Sequence, residues 1–396
     1  MRRKLLSAAV VSAFGVPACA LAQSSTVQIY GVMYMEYSFM VDQGTGAAAG
    51  GGAPIGSRND IDLMQTPGSA IGFKGEEKLG GGLSAWFQCE STADITGVGA
   101  AGWCARNSAV GLKGGFGNVF LGNWDTPFKR TISPLSVGGN DTGIWGTAFL
   151  LTGGSTTVAG SAARGLFKRR QNNTMNYDSP VLGGFQVMAA FSTAQTGGGA
   201  IAVGGTAATS GATSGKPRVM SLGAQYSAGP LYVGAGYERH NEFAAVGGEN
   251  NDDGWHLGAA YTWGPVRFGG LYTRQTFETS ATTESRVSGW HAGVDWKIVG
   301  PHGLRAAYTV ARDVKGTGAI AIVGSGSTRP AAGPNTGADL WQVRYVYSLS
   351  KRTEFNLGYV KLDNEAAAFY TLGGLGAPVT GGNNQDAWAA SLRHTF

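Results

Sequence analysis

Basic side chains recur at alternate positions in this chain, and the residues around them decide what they can do. Lys74, Lys297, Arg305, Arg344 and Arg393 each stand in a short stretch whose other face is apolar, so alternation turns them all to one side. Acids on that side are fewer, with Glu36 and Asp295 the clearer cases. Such a surface sorts ions, because like charges lining a narrow passage repel co-ions and gather counter-ions. Bond-making chemistry lacks its parts. None of the five histidines, His240, His256, His291, His302 and His394, has a serine or acid at a spacing that marks a triad. No cofactor motif and no metal-ligand spacing accompanies them, so the chain is not expected to be an enzyme.

The elements that present these charges have a period of two. From Leu340 to Ser350, Trp341, Val343, Tyr345, Tyr347 and Leu349 share one face, while Gln342, Arg344, Ser348 and Ser350 share the other; Val346 alone breaks the polar side. Trp290, Ala292, Val294, Trp296 and Ile298 alternate in the same way with His291, Asp295 and Lys297. At the end of the chain, Trp388, Ala390, Leu392 and Phe396 alternate with Ser391, Arg393 and Thr395. After residue 22 no apolar run approaches the ~20 residues of a spanning helix. A bilayer core cannot hydrogen-bond a backbone, which leaves a sheet without edges as the spanning solution. Composition agrees: charged residues make up 14% of the chain against ~25% in a soluble domain. Mean hydropathy is close to zero, as one wet face and one greasy face would give.

Residues 1–22 stand apart. Arg2, Arg3 and Lys4 precede a short apolar stretch, Leu5 to Val16, and Ala20-Leu21-Ala22 forms an A-x-A cleavage site, the pattern of a signal peptide. Its removal lowers the formal charge from +5 to +2, so the basic balance of the precursor gives no reason to expect nucleic acid as a partner. Cys19 leaves with it. Cys89 and Cys104 remain, flanking a loop in an oxidising compartment, and a disulfide between them is expected.

Sixteen alternating segments can be counted in residues 23–396, from 27–39 to 387–396, with the fourth at 105–114 and the twelfth at 289–298. The expected fold is therefore all-β, a 16-stranded antiparallel transmembrane β-barrel forming a single domain. The even number puts both ends on one side, together with the short turns near Gly81, Gly115, Leu182, Gly229, Gly264, Pro301 and Lys351. Barrels of this size enclose an aqueous channel. One connection, 124–168, is far longer than the others, and long loops are usually functional.

The chain resembles the Gram-negative general porins, specifically the trimeric outer-membrane porins of Burkholderia, Bordetella and related β-proteobacteria. The resemblance rests on Val27-Gln28-Ile29-Tyr30-Gly31, on Gly72-Phe73-Lys74-Gly75-Glu76-Glu77-Lys78-Leu79-Gly80-Gly81-Gly82-Leu83 and on Ala109-Val110-Gly111-Leu112. Phe116-Gly117-Asn118-Val119, the run from Arg170 through Asn172-Asn173 to Tyr177-Asp178-Ser179-Pro180, and the ending Leu392-Arg393-His394-Thr395-Phe396 extend it over essentially the whole mature chain.

The resemblance implies that the third external loop, 124–168, folds inward and narrows the pore to an eyelet. Two eyelet arginines carry over onto Arg106 and Arg170; a third does not, because Ala70 stands in its place, with Lys74 on the same face. Asp125 and Asp141 are the loop's acids. The implied function is a water-filled channel for passive diffusion of small hydrophilic solutes and ions, weakly to moderately anion-selective. A channel for one solute class, organic acids or sugars, is the alternative, and an adhesin barrel a more distant one. The resemblance further implies a homotrimer packed along the small-residue outer faces of Gly31 to Met35 and Ala387 to Leu392. It implies outer-membrane lipid and lipopolysaccharide around the barrel, and recognition of Phe396 by the barrel-assembly machinery.

Overall fold

A computed structural model describes residues 26–42, 61–97, 102–139, 143–146, 151–152, 167–192, 200–203, 206–209, 218–241, 251–278, 282–317, 332–368, 370–372, 382 and 384–396. The proposed signal peptide and Asp141 lie outside them.

Sixteen spanning strands among the described residues close into one barrel. They are β1 Thr26–Asp42, β2 Ala70–Gly80, β3 Leu83–Thr92, β4 Ser108–Gly114, β5 Gly117–Asp125, β6 Arg170–Asp178, β7 Phe185–Ser192 and β8 Arg218–Ala228. The second half comprises β9 Leu231–Asn241, β10 Asn251–Trp263, β11 Val266–Glu278, β12 Glu284–Val299, β13 His302–Ala311, β14 Ala338–Ser348, β15 Thr353–Asn364 and β16 Gln385–Thr395. Each pairs antiparallel with its neighbours in chain order, and β16 returns to β1 in the register Val32↔Thr395 to Asp42↔Asp386. At the seam Gly31 and Phe396 exchange two backbone hydrogen bonds, both 3.1 Å. Only glycine fits at 31, since a Cβ there would come within 2.6 Å of the Phe396 ring.

The local chemistry explains the strands. Outward positions are apolar and exposed to lipid, as with Leu257, Leu222 and Leu121. Seven short turns lie at the end that also holds Phe396. Gly229 and Gly264 take φ of +54° and +55° there, a left-handed geometry that tightens the hairpins.

Several strand boundaries differ from the sequence reading, three of them with a clear cause. The fourth strand begins at Ser108 rather than 105, because Arg106 bends away with its N–H bonded to the Glu90 carbonyl at 2.9 Å. The twelfth begins at Glu284, five residues earlier than read, where it pairs β11 and Lys315–Gly316. The long connection begins after Asp125, since Trp124 and Asp125 still pair with β6.

The faces of β16 also correct the expected small-residue packing surface. Ala387 and Ala389 point inward and are buried, while Trp388 and Leu392 point outward. The core itself lies inside the barrel, between the wall and the long connection. Phe128, Ile132, Leu135, Leu151 and Phe167 pack on Leu271, Phe277 and Val287 of the wall. Ile144 and Trp145 pack with Leu340, Val360, Leu362 and Tyr370.

Candidate functional site

The described part of the long connection enters the lumen as a short helix, α1 Pro127–Ile132. The Thr126 hydroxyl accepts from the Lys129 N–H at 3.4 Å and Pro127 presets the first turn, while Ser133-Pro134 ends the helix in a single 3-10 turn. The wall beneath is cut to fit. Inward positions of β8 to β12 carry Gly223, Gly234, Gly258, Gly269 and Gly293, and a Cβ at each would meet this segment. At Gly234 it would lie 2.6 Å from the Thr131 carbonyl oxygen, and at Gly293 it would overlap that of Val137.

Polar side chains latch the segment along the same wall. His256 Nε2 lies 3.0 Å from the Thr131 hydroxyl and 3.1 Å from the Phe128 carbonyl. His291 Nε2 lies 2.9 Å from the Val137 carbonyl. Asp295 accepts from the Gly138 N–H at 3.0 Å, and Arg344 donates to the Gly139 carbonyl at 2.8 Å. Farther on, the buried Glu36 carboxylate accepts from Ile144 N–H, Gln65 Nε2 and Tyr34 Oη at 3.1, 2.7 and 2.7 Å. The inward histidines are thus struts, as are both clear inward acids.

In strand order β3 to β6 lie across the barrel from this covered wall, and they carry a network of charges. Arg106 Nε meets Glu90 at 2.7 Å, and Tyr30 Oη donates to the same carboxylate at 3.1 Å. Arg170 Nε lies 3.2 Å from Asp125 and donates to Asn107 Oδ1 at 2.7 Å. Lys129 reaches Asp125 at 2.9 Å, and Arg130 grips Asp178 with two bonds of 2.7 and 2.8 Å. Arg169, one residue before β6, is held down to about 10 by burial, opposed by the charge of Glu238. Three aromatics share this wall: Trp86, Phe120 and Trp124 lie with ring centroids 5.2 to 5.7 Å apart.

The candidates from sequence therefore separate into groups. Arg106, Arg170 and Asp125 come together, each paired. Lys74 lies inward with its Nζ 5.1 Å from the Tyr30 ring. Arg305 and Arg393 line a cavity of about 370 Å³ with Asp295, Glu354 and Tyr34. Arg344, read as a lumen charge, is almost fully buried beneath the loop. Lys297 is exposed near the short-turn end. Cys89 and Cys104 are joined in a disulfide.

Sequence reasoning passed over Glu90, Asn107 and Arg267. Alternation places Glu90 inward beside Gln88, but nothing local marks it as the partner of Arg106. Arg267 donates to the Pro134 carbonyl at 2.9 Å, a contact between residues 133 apart in the chain.

Comparison with known proteins supplies the family. The sequence profile described as Gram-negative porin matches residues 7–367. Among curated proteins, the major outer membrane protein P.IB of Neisseria gonorrhoeae is 38% identical over 118 residues, 30% of each chain. That of Neisseria meningitidis is 50% identical over 64 residues, 16% of this chain and 19% of the relative. The match thus spans under a third of the length of these relatives. Among solved structures, the anion-selective porin from Comamonas acidovorans superposes with a TM-score of 0.71 at 23% identity, over 94% of this chain and all of that one. The trimer form of OmpT, an outer membrane protein of Vibrio cholerae, gives 0.64 at 14% identity, over 94% of this chain and 100% of that one. A barrel with an inward segment and a profile matched along most of its length make the chain a member of the Gram-negative porin family, channels of the outer membrane rather than enzymes.

Proposed function

We propose that the chain forms a passive diffusion pore for small hydrophilic solutes and ions, with weak preference for anions. The observation that carries this reading is the segment 126–139, which docks on the wall of β8 to β12, ties to β5 and β6 through Lys129 and Arg130, and narrows the lumen beside the paired charges of β3 to β6. There Arg106, Lys129 and Arg170 oppose Glu90 and Asp125, a small excess of positive charge. Pairing tempers that excess, so the preference is weak. The eyelet on this reading is lined by Arg106, Arg170 and Asp125, with Lys74 below and Asp141 as a further loop acid. Arg305, Arg393 and Lys297 supply the approach, and Arg344 acts by holding the loop.

Planar-bilayer recording tests this. A wild-type reversal potential that favours anions under a KCl gradient, moved toward zero by Arg106→Ala with Arg170→Ala, supports the eyelet. Unchanged selectivity in the double variant removes these residues from the filter, and absence of channels removes the pore.

We further propose a homotrimer, conducting in three equal steps, and Phe396 as the signal read by the assembly machinery. The trimer form recorded for the Vibrio neighbour supports the first, and the place of Phe396 at the barrel seam is compatible with the second.

A channel for one solute class is favoured by one observation, the Trp86–Phe120–Trp124 cluster on the uncovered wall. Liposome swelling separates the two readings. Entry of aromatic acids faster than aliphatic acids of equal size, lost in Trp86→Ala with Trp124→Ala, would favour the selective channel.

A further inference from the structure

The inward segment does not lie flush with the wall everywhere. Beside Gly139 a chamber of about 370 Å³ stands against the inner face of β12 to β16 and β1, bounded toward the long loops by Gly139 and Pro67-Gly68. Glu354 and Arg393 line it from the short-turn ends of β15 and β16.

The charged side chains of this chamber are Arg305, Arg344 and Arg393 with the carboxylates of Asp295 and Glu354. Both acids turn to one arginine, for Arg305 lies 3.7 Å from Asp295 and 3.3 Å from Glu354. Charge-assisted bonds close to about 2.7–2.9 Å, so these pairs are slack and neither carboxylate is used up. Among the described residues Arg344 and Arg393 have no carboxylate within ion-pair distance. Lys297, two residues beyond Asp295, and Glu36, behind Tyr34 and already bonded to three donors, do not line the chamber. Three guanidiniums against two carboxylates leave its lining with one positive charge in excess.

Two buried atoms here lack partners. Arg344 is 4% exposed, bonded through Nη2 to the Gly139 carbonyl and placed over the Trp145 ring at 5.4 Å, yet its Nε has no hydrogen-bond partner among the described residues. Asn356 is 2% exposed, and its Oδ1 is likewise without one. Arg344 is opposite Gly358 on β15, and Asn356 is two residues along, so the two are diagonal neighbours on one face. Such neighbours stand about 7–8 Å apart, within reach of long side chains. Gly358 keeps the diagonal clear, since a Cβ there would lie 2.5 Å from Arg344 Cβ. Leaving a buried donor or acceptor unbonded costs the desolvation of that group. One of each, side by side, fits a ligand that carries both an oxyanion and an N–H or O–H.

Charge narrows the class. Two guanidiniums without carboxylates of their own match two carboxylates, because the guanidinium fork fits that planar group. The free amide oxygen and the slack Glu354 match an ammonium. Two carboxylates and one ammonium sum to a single negative charge, which cancels the excess on the lining.

We propose that this chamber binds an acidic α-amino acid such as glutamate, with its carboxylates on Arg344 and Arg393 and its ammonium against Asn356 and Glu354. The site holds a solute rather than passing it, and it is separate from the wall that carries Arg106 and Arg170.

The test is equilibrium dialysis of the detergent-purified full chain with radiolabelled L-glutamate in potassium chloride at neutral pH. Saturable binding is expected. Glutarate, which lacks the ammonium, and glutamine, which lacks the second carboxylate, should compete about tenfold more weakly or worse. Arg393→Gln and Asn356→Ala should each weaken binding by a similar factor, while Arg106→Ala with Arg170→Ala keeps it. The comparison of the three ligands uses the wild type, so it stands even where a variant folds poorly. Glutarate or glutamine competing as well as glutamate overturns the inference, as does unchanged binding in both chamber variants or loss of binding in the Arg106 and Arg170 variant alone. No saturable binding to a preparation that forms channels in planar bilayers sinks the site and leaves the pore intact, whereas glutamate binding by a preparation that forms no channels sinks the pore reading and leaves the site.

Discussion

The two halves of the inner wall obey different rules. On β8 to β12, beneath the inward segment, lumen-facing positions are glycine, histidine, apolar side chains such as Leu271 and Phe277, and buried polar groups such as Ser221, Thr273 and Gln275 that bond to chain rather than to solvent. On β3 to β6 they are paired charges and clustered aromatics, some partly exposed, as Arg106 and Glu90 are, and some buried, as Arg170, Asp178 and Phe120 are. Both stretches are inward strand faces of one barrel. An inward residue in a wide barrel is therefore chosen by what stands in front of it, another piece of chain or the solution. The covered wall behaves as a protein core, where a methyl group matters, and the open wall as a charged surface, where net charge matters.

The strongest way to break this contrast is to fill the glycine track. Gly293→Leu places a side chain where the Val137 carbonyl sits, and overpacking of this kind costs about 1–3 kcal/mol. The segment is expected to lift from the wall, changing single-channel conductance markedly and lowering the unfolding temperature. Normal values for both would show that the track is not a dock. Gly115→Leu, at an open turn with nothing near its Cβ, serves as the reference.

Next comes Glu36→Ala, which strands the buried donors Tyr34 Oη, Gln65 Nε2 and Ile144 N–H, each at a cost of about 1–3 kcal/mol. The expected signs are noisier open-channel current and reduced thermal stability with selectivity kept. A quiet channel of wild-type stability would mean that Glu36 is not a latch.

On the open wall the expected effect is smaller and has a different signature. Asp125→Asn frees Lys129 and Arg170 from their shared partner. One unit charge a few ångströms from a passing ion is worth about 1 kcal/mol in water-like surroundings and acts on anion and cation with opposite sign, so the anion-to-cation permeability ratio should rise by at most about thirtyfold. A shift toward cations would reverse the assigned sign of the wall.

The least effect on the pore is expected from the disulfide. Cys89 and Cys104 are separated by 15 residues, a closure worth about 3 kcal/mol through the unfolded chain. Cys89→Ser with Cys104→Ser should lower stability in urea by that order while leaving the reversal potential in place. A changed potential would instead tie the disulfide to the placement of Arg106.

Much of the open wall was legible in the sequence, because water outside a pleated strand enforces strict alternation. Arg106, Arg170 and Lys74 could be pointed inward from period two and the resemblance alone. Their partners could not, since Glu90 and Asp125 are chosen by distances across strands and not by any local pattern. The covered wall was harder. Val346 looked like a fault in a polar face, yet it is buried inside the barrel, as are Leu340 and Val360 beside Ile144 and Trp145. Period two tells which way a side chain points but not what it will meet there.

The latches span long stretches of chain: Arg344 and Gly139 are 205 residues apart, and Asp295 and Gly138 are 157 apart. Contacts of such high sequence separation form late, because the intervening chain must be ordered before they are rewarded. Glu36, by contrast, is in place from the first strand. The constriction is thus completed only when the second half of the barrel has been laid down, so the strands that close the wall onto β1 and those that set the width of the hole arrive together.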